Sequence, residues 1–165
     1  MPSYADDLAF GLRNQQTVRQ LLNEKFGGDH VEQSRYATFD YLSSDGLRLV
    51  EVKSLRCRSD KHAYALMGGN KVDAAAAAHP NREVVFVWVY EDDIFYAKYD
   101  PVTFATFRRS GCIRSGRTGI TDMEADTVWV PKTHIAPLRT HPAHASTSSP
   151  SLAAAPLPAP LAASS

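Results

Sequence analysis

The sequence predicts an α/β fold, a mixed sheet flanked by helices. Three observations carry this expectation. Residues 3–26 hold an apolar stripe at helical spacing. Two β-rich limbs, Tyr36–Leu42 and Leu47–Lys53, flank the turn signal Ser43-Ser44-Asp45-Gly46, and Asp-Gly is a strong hairpin dipeptide. Glu83–Tyr90 is a near-continuous apolar run, the pattern of a strand buried on both faces.

The first element is the helix Ser3–Phe26. Ser3 with Asp6 reads as a capping box, and Asp6 and Asp7 suit the positive end of the helix. Leu8, Leu12, Val18, Leu21, Leu22 and Phe26 form the stripe, and Gly27-Gly28 stops it. Gly11 lowers helicity but permits a close approach to the sheet. Gln15 and Gln16 border the stripe and read, from composition, as surface residues.

The hairpin follows. A turn symmetric about Ser44 and Asp45 sets Leu42 against Leu47 and Asp40 against Leu49. Side chains alternate with period two, so Asp40, Glu51 and Lys53 share one face, with Asp40 and Glu51 on the diagonal. Phe39, Tyr41, Val50 and Val52 are expected on the other, apolar face. Diagonal neighbours lie roughly 7–8 Å apart at Cα. Two carboxylates at that distance repel unless a cation lies between them, and a hard cation such as Mg²⁺ wants oxygen ligands. A lysine two residues from one carboxylate can meet a bound phosphate or orient a water. The contrary reading is a half-exposed hairpin with solvated charges. Against it, Glu51 and Lys53 interrupt the apolar run Leu47–Val52 and its end.

Residues Leu55–Lys61 read as a polar, basic loop, and His62–Met67 as a short strand broken by Gly68-Gly69. Asn70–Ala78 is a strong helix former with Asn70 as N-cap. Lys71 in its first turn is electrostatically disfavoured, so Asn70 or Lys71 is a candidate phosphate contact. Glu83–Tyr90 and Ile94–Tyr99 form a second hairpin around Glu91-Asp92-Asp93, whose acidic residues read as turn formers. Asp100–Phe107 is a short helix or turn. Arg108–Arg117 carries four arginines in ten residues, Arg108, Arg109, Arg114 and Arg117. It reads either as a solvated loop or as a loop that contacts phosphates. Asp126–Pro131 is a last strand.

From Pro137 the composition collapses into Ala, Pro, Ser and Thr. The expected folded unit is therefore 1–136, and 137–165 is expected to be a disordered tail. Formal net charge is zero, so any case for nucleic acid rests on local patches. Cys57 and Cys112 make no metal or disulfide framework and read as reduced thiols of an intracellular protein. No apolar run approaches membrane-spanning length, so no membrane partner is expected.

The order helix, strand, strand, short strand, helix, strand, hairpin gives these residues a family. The chain resembles the PD-(D/E)XK nuclease superfamily. Asp40 in Thr38-Phe39-Asp40-Tyr41 matches its acidic position, with Phe39 where the family has Pro, and Glu51-Val52-Lys53 matches its E-x-K. The segment from Glu51 to Ala75 is similar to virus and phage members, in which a helix opening with Asn-Lys follows E-x-K. The resemblance covers roughly residues 11–99.

What it implies is a restriction-endonuclease-like αβββαβ core, here with an added C-terminal β-hairpin and strand. It also implies metal-dependent hydrolysis of phosphodiester bonds, with DNA the expected nucleic acid and a 5′-phosphate on the product. Asp40, Glu51 and the Val52 carbonyl would hold Mg²⁺, with Mn²⁺ as an alternative. Lys53 would orient the attacking water. Many members carry Glu on the first helix about four residues after a Gly, where this chain has Gln15, or Gln16 in the neighbouring register. Gln15 would position a water of the metal, Asn70 or Lys71 would hold a neighbouring phosphate, and the arginines would hold the nucleic-acid backbone. Many relatives pair to cut two strands, which puts a homodimer among the expectations. The alternative is a nucleic-acid-binding or structural protein that keeps the fold without turnover.

Overall fold

A computed structural model describes residues 4–114 and 122–139, with side chains for 14–111 and 126–139. The fold is α/β. Its first helix, α1 (Tyr4–Phe26), ends at Gly27, whose positive φ closes the last turn with a bond from its amide to Asn23 O. Asn23 Oδ1 then accepts from both the amide (3.0 Å) and the ring Nδ1 (2.8 Å) of buried His30. That clamp ties β1 (His30–Glu32) to the helix.

The hairpin is β2 (Tyr41–Ser43) and β3 (Arg48–Ser54). Its register differs from the symmetric turn by two residues: Leu42 pairs with Leu49, and Tyr41 with Val50. The cause is local side-chain bonding. Ser43 Oγ accepts from Arg48 N and Asp45 Oδ1 accepts from Leu47 N, while Gly46 adopts φ +74°. These contacts stabilise a longer turn than the Asp-Gly pair alone suggests.

Then come β4 (Tyr64–Gly68), α2 (Gly69–Ala78), β5 (Glu83–Val89), β6 (Ile94–Lys98), α3 (Pro101–Phe104), β7 (Arg108–Arg114), β8 (Asp122–Pro131), a 3-10 turn (Lys132–His134) and β9 (Ala136–Pro137). Asp100 caps α3 by accepting from Thr103 N at 2.7 Å.

Among the described residues the strands make two sheets. The larger has the order β1-β2-β3-β5-β6-β9, and the smaller β4-β8-β7. β3 runs parallel to β5, with α2 between them in sequence. The expected short third strand, His62–Met67, is real as β4 but leaves the main sheet to pair with β8. The three antiparallel strands before α2 in the main sheet are β1, β2 and β3.

Both faces of the main sheet are covered, as the β5 run requires. Val85, Val87 and Val89 join Tyr41, Val50, Val18 and Leu22 beneath α1. Val84, Phe86 and Trp88 join Leu49, Val72, Ala75, Met67 and Val130 on the opposite face. Trp88 Nε1 donates to Leu66 O at 2.9 Å, tying the two sheets together.

The boundary expected at 136 cuts through β9. Pro137 and Ala136 pair with Phe95 and Tyr96, and Leu138, 2 % exposed, fills the α1-side core. The described fold therefore continues to Arg139, and the rest of the expected tail lies outside the described residues. Among the described residues no helix is long and apolar enough to cross a membrane.

Candidate active site

The site forms where β2 stops and β3 continues. The pairing of β2 on β3 ends at Tyr41–Val50, which leaves Val52 N without a strand partner. Asp40 Oδ2 takes that bond at 2.7 Å. The Asp40 amide donates to Val50 O at 2.9 Å, so Asp40 and Tyr41 both address Val50, in the manner of a β-bulge. Asp40 thereby grips β3 at Val50 and Val52, on either side of Glu51, rather than facing Leu49. The extra residue also flips the alternation. Tyr41, Val50 and Val52 pack together as expected, but Phe39 turns to the other face and packs with Leu49. Backbone N–H and C=O of one strand residue point to one side, so the Val52 carbonyl opens on the edge that Asp40 occupies.

Glu51 is 12 % exposed, and its Oε2 lies 3.0 Å from Lys71 Nζ. Burial pushes its carboxyl up to about 7, the Asp40 charge adds to the rise, and Lys71 and Lys53 oppose it. Burial also raises Asp40, against the Val52 amide and the Lys71 charge, while Glu32 raises it further. A half-buried carboxylate pair that resists ionising together is short of positive charge.

Lys71 supplies part of that charge. Besides Glu51, its ammonium donates to the Thr38 carbonyl. The residue expected at a neighbouring phosphate therefore sits on the acidic pair itself, which accounts for a cation in the unfavourable first turn of α2. The N-cap of α2 is Gly68, without a side-chain cap; Asn70, expected in that role, is an exposed first-turn residue. Glu51, Val52, Lys53, Ser54, Met67, Gly68, Asn70 and Lys71 line one cleft of about 390 Å³.

Of the two candidate glutamines, Gln15 is half-buried and its Nε2 approaches Asp40 Oδ1 at 3.5 Å, whereas Gln16 is exposed. An amide donor steadies Asp40 where a third carboxylate would repel it.

The described part of the arginine-bearing stretch is a strand, not a loop. Arg108–Arg114 is β7, paired with β8. Arg109 makes two-pronged bonds to Asp73 and Asp126, joining α2 to the second sheet, and Arg108 lies over the Trp129 ring. Arg109 is thus engaged in structure instead of presented to a phosphate. The Arg114 side chain and Arg117 lie outside the described residues.

Sequence reasoning missed Glu32 and the Thr38 carbonyl. Both sit on segments with no periodicity: β1 is three residues long, and Thr38 acts through its backbone. Among the described residues no three His, Cys, Asp or Glu side chains converge as metal ligands. The oxygen set present is the Asp40–Glu51 pair with the Val52 carbonyl. It fits a hard divalent cation in donor type, and the ammonium seated between Glu51 and the Thr38 carbonyl marks the place as one that accepts positive charge. Comparison of the chain with protein families, with curated proteins and with solved structures finds no match.

Proposed function

We propose that this chain is a metal-dependent nuclease of the PD-(D/E)XK type, hydrolysing phosphodiester bonds of nucleic acid, with DNA the expected substrate. The observation that carries the reading is the grip of Asp40 on Val50 and Val52, which brings its carboxylate near Glu51, itself a wall of the cleft that Lys53 also lines. The order α1, β1-β2-β3, α2, then parallel β5 supports it.

Asp40, Glu51 and the Val52 carbonyl would hold Mg²⁺, which when bound polarises the phosphoryl group and lowers the pKa of a water. The chain's own residues do the rest. Lys53 stands two residues beyond Glu51 on the same face and orients a water or neutralises phosphate charge in the cleft. Gln15 holds Asp40, and Lys71 balances Glu51. Asn70, exposed on the cleft wall, would donate to a phosphate oxygen.

The test is a cleavage assay on linear, branched and single-stranded DNA and RNA with Mg²⁺, Mn²⁺ or EDTA. Metal-dependent cutting lost in Asp40→Ala and Lys53→Ala, with folding retained, supports the reading. A second reading, a nucleic-acid-binding or structural protein without turnover, is favoured by Lys71, which already neutralises Glu51. Metal-independent binding with no cutting under any of these conditions would establish it.

A further inference from the structure

The segment between β1 and β2 is short and closed. Gln33 N donates to Asp40 O at 2.8 Å across its base, and Ala37 N donates to Ser34 O at 2.8 Å across its tip. Its return limb is anchored twice: the Thr38 carbonyl accepts from Lys71, and Phe39 is buried against Leu49. At the tip stands Tyr36, 85 % exposed, with the Arg35 guanidinium 5.0 Å from its ring centroid. The turn needs no aromatic residue, and the ring buries almost nothing, so it adds little to the stability of the fold. Asp40 stands four positions after Tyr36, at most about 14 Å away even for an extended chain, a distance of a few nucleotides along a strand.

We infer that Tyr36 and Arg35 form a nucleotide platform that selects single-stranded nucleic acid, the Tyr36 ring stacking an unpaired base next to the bond to be cut. This rests on the nuclease reading above and adds its substrate class. With the Arg35 guanidinium over one face, the exposed ring has its other face for a base and a cation for a phosphate, the two parts of a nucleotide, and base–aromatic stacking tolerates any sequence. A base inside a duplex is stacked on both faces and cannot take the place. The remaining charge pattern agrees. Arg109 is spent on Asp73 and Asp126, and the chain is formally neutral, so a mode that draws on stacking suits it better than one that tracks a duplex through phosphates.

The experiment uses the full chain with Ca²⁺ in place of Mg²⁺ to hold complexes uncut. Fluorescence anisotropy measures binding of one oligonucleotide, as DNA and as RNA, single-stranded and annealed to its complement. A second readout is the emission of 2-aminopurine placed at successive positions of the single strand. Tyr36→Ala should weaken single-strand binding roughly tenfold, abolish the quenching at one position and leave duplex binding unchanged. Tyr36→Phe should restore both signals. Equal losses on single strand and duplex, or no loss on either, would overturn the platform. If the wild type cuts nucleic acid and Tyr36→Ala binds single strands as well as it does, only this inference falls. If the wild type binds no strand at all, the nuclease reading and the platform fall together.

Discussion

The ammonium of Lys71 lies 3.0 Å from the Glu51 carboxylate, and the same ammonium holds the Thr38 carbonyl beside Asp40. One cation from α2 thus bridges β3, which carries Glu51, and the segment before β2 that ends in Asp40. Its removal should leave less positive charge to oppose the effects of burial and of Asp40 on Glu51, with Lys53 still in place. Lys71→Met is expected to raise the Glu51 midpoint from about 7 by roughly one unit. Carboxyl-carbon NMR titration measures it directly. A midpoint that stays in place would show that Lys71 does not balance the pair.

Glu51 also ties stability to pH. Its folded value, about 7, stands above the ordinary 4.5, so the native protein holds this proton more tightly than the unfolded chain. Stability from this source is fully present below about pH 4.5, is lost as pH rises to about 7, and stays lost above that. At about 1.4 kcal/mol per unit the window amounts to about 3 kcal/mol. Glu51→Gln should match the wild type near pH 4 and exceed it by up to about 3 kcal/mol near pH 8. Urea unfolding in EDTA at both pH values checks this, and a difference independent of pH contradicts it.

Gly69 opens α2 against the second sheet. A Cβ there would stand 2.0 Å from Asp126 Oδ2 and 2.3 Å from its Cγ. Gly69→Ala must push that carboxylate away and break its bonds to Arg109. A melting temperature lower by about 3 °C is expected. In an Asp126→Ala background, where the carboxylate and its bonds to Arg109 are already gone, Gly69→Ala should cost much less, and an undiminished loss there would place the strain elsewhere.

Arg109 reads as a phosphate contact in the sequence and as a brace in the fold. Arg109→Ala is expected to lower the melting temperature by about 3 °C. It should leave the salt dependence of nucleic-acid binding unaltered, whereas loss of a phosphate contact reduces that slope by about one. Melting curves and a salt series separate the two roles.

Leu138 anchors the chain's return to the α1-side core at 2 % exposure. Leu138→Ala should cost about 2–5 kcal/mol, the range for truncating a buried leucine. Chemical denaturation measures it, and a loss under about 1 kcal/mol would mean that the site collapses around the smaller side chain.

The α/β class was legible because long elements announce themselves. Residues 4–26 and 83–89 each carry one unbroken pattern. The acidic pair was legible because Glu51 and Lys53 interrupt an apolar run. The pairing between Asp40 and β3 was not, since it depends on Ser43 and Asp45 side chains lengthening a turn and on one residue bulging. β1 is too short for period to register. The strand nature of Arg108–Arg114 was hidden because its partner lies across residues with no pattern of their own, and its charges are answered by Asp73 and Asp126, far apart in sequence. The tail boundary was set too early because composition changes before packing ends.

Met67 and Gly68, on the far wall of the cleft, belong to β4, and their neighbours in the ladder are Val128 and Thr127 of β8. The main sheet supplies Glu51 and Lys53, but the opening they face is bounded by another sheet, held to the first through Trp88 and Leu66. Occupancy of the cleft and cohesion of the smaller sheet are therefore linked quantities. A molecule that binds across the gap should slow amide hydrogen exchange along β8 without touching it. By the same linkage, a substitution that loosens β8 should weaken binding at a distance from every residue in the cleft.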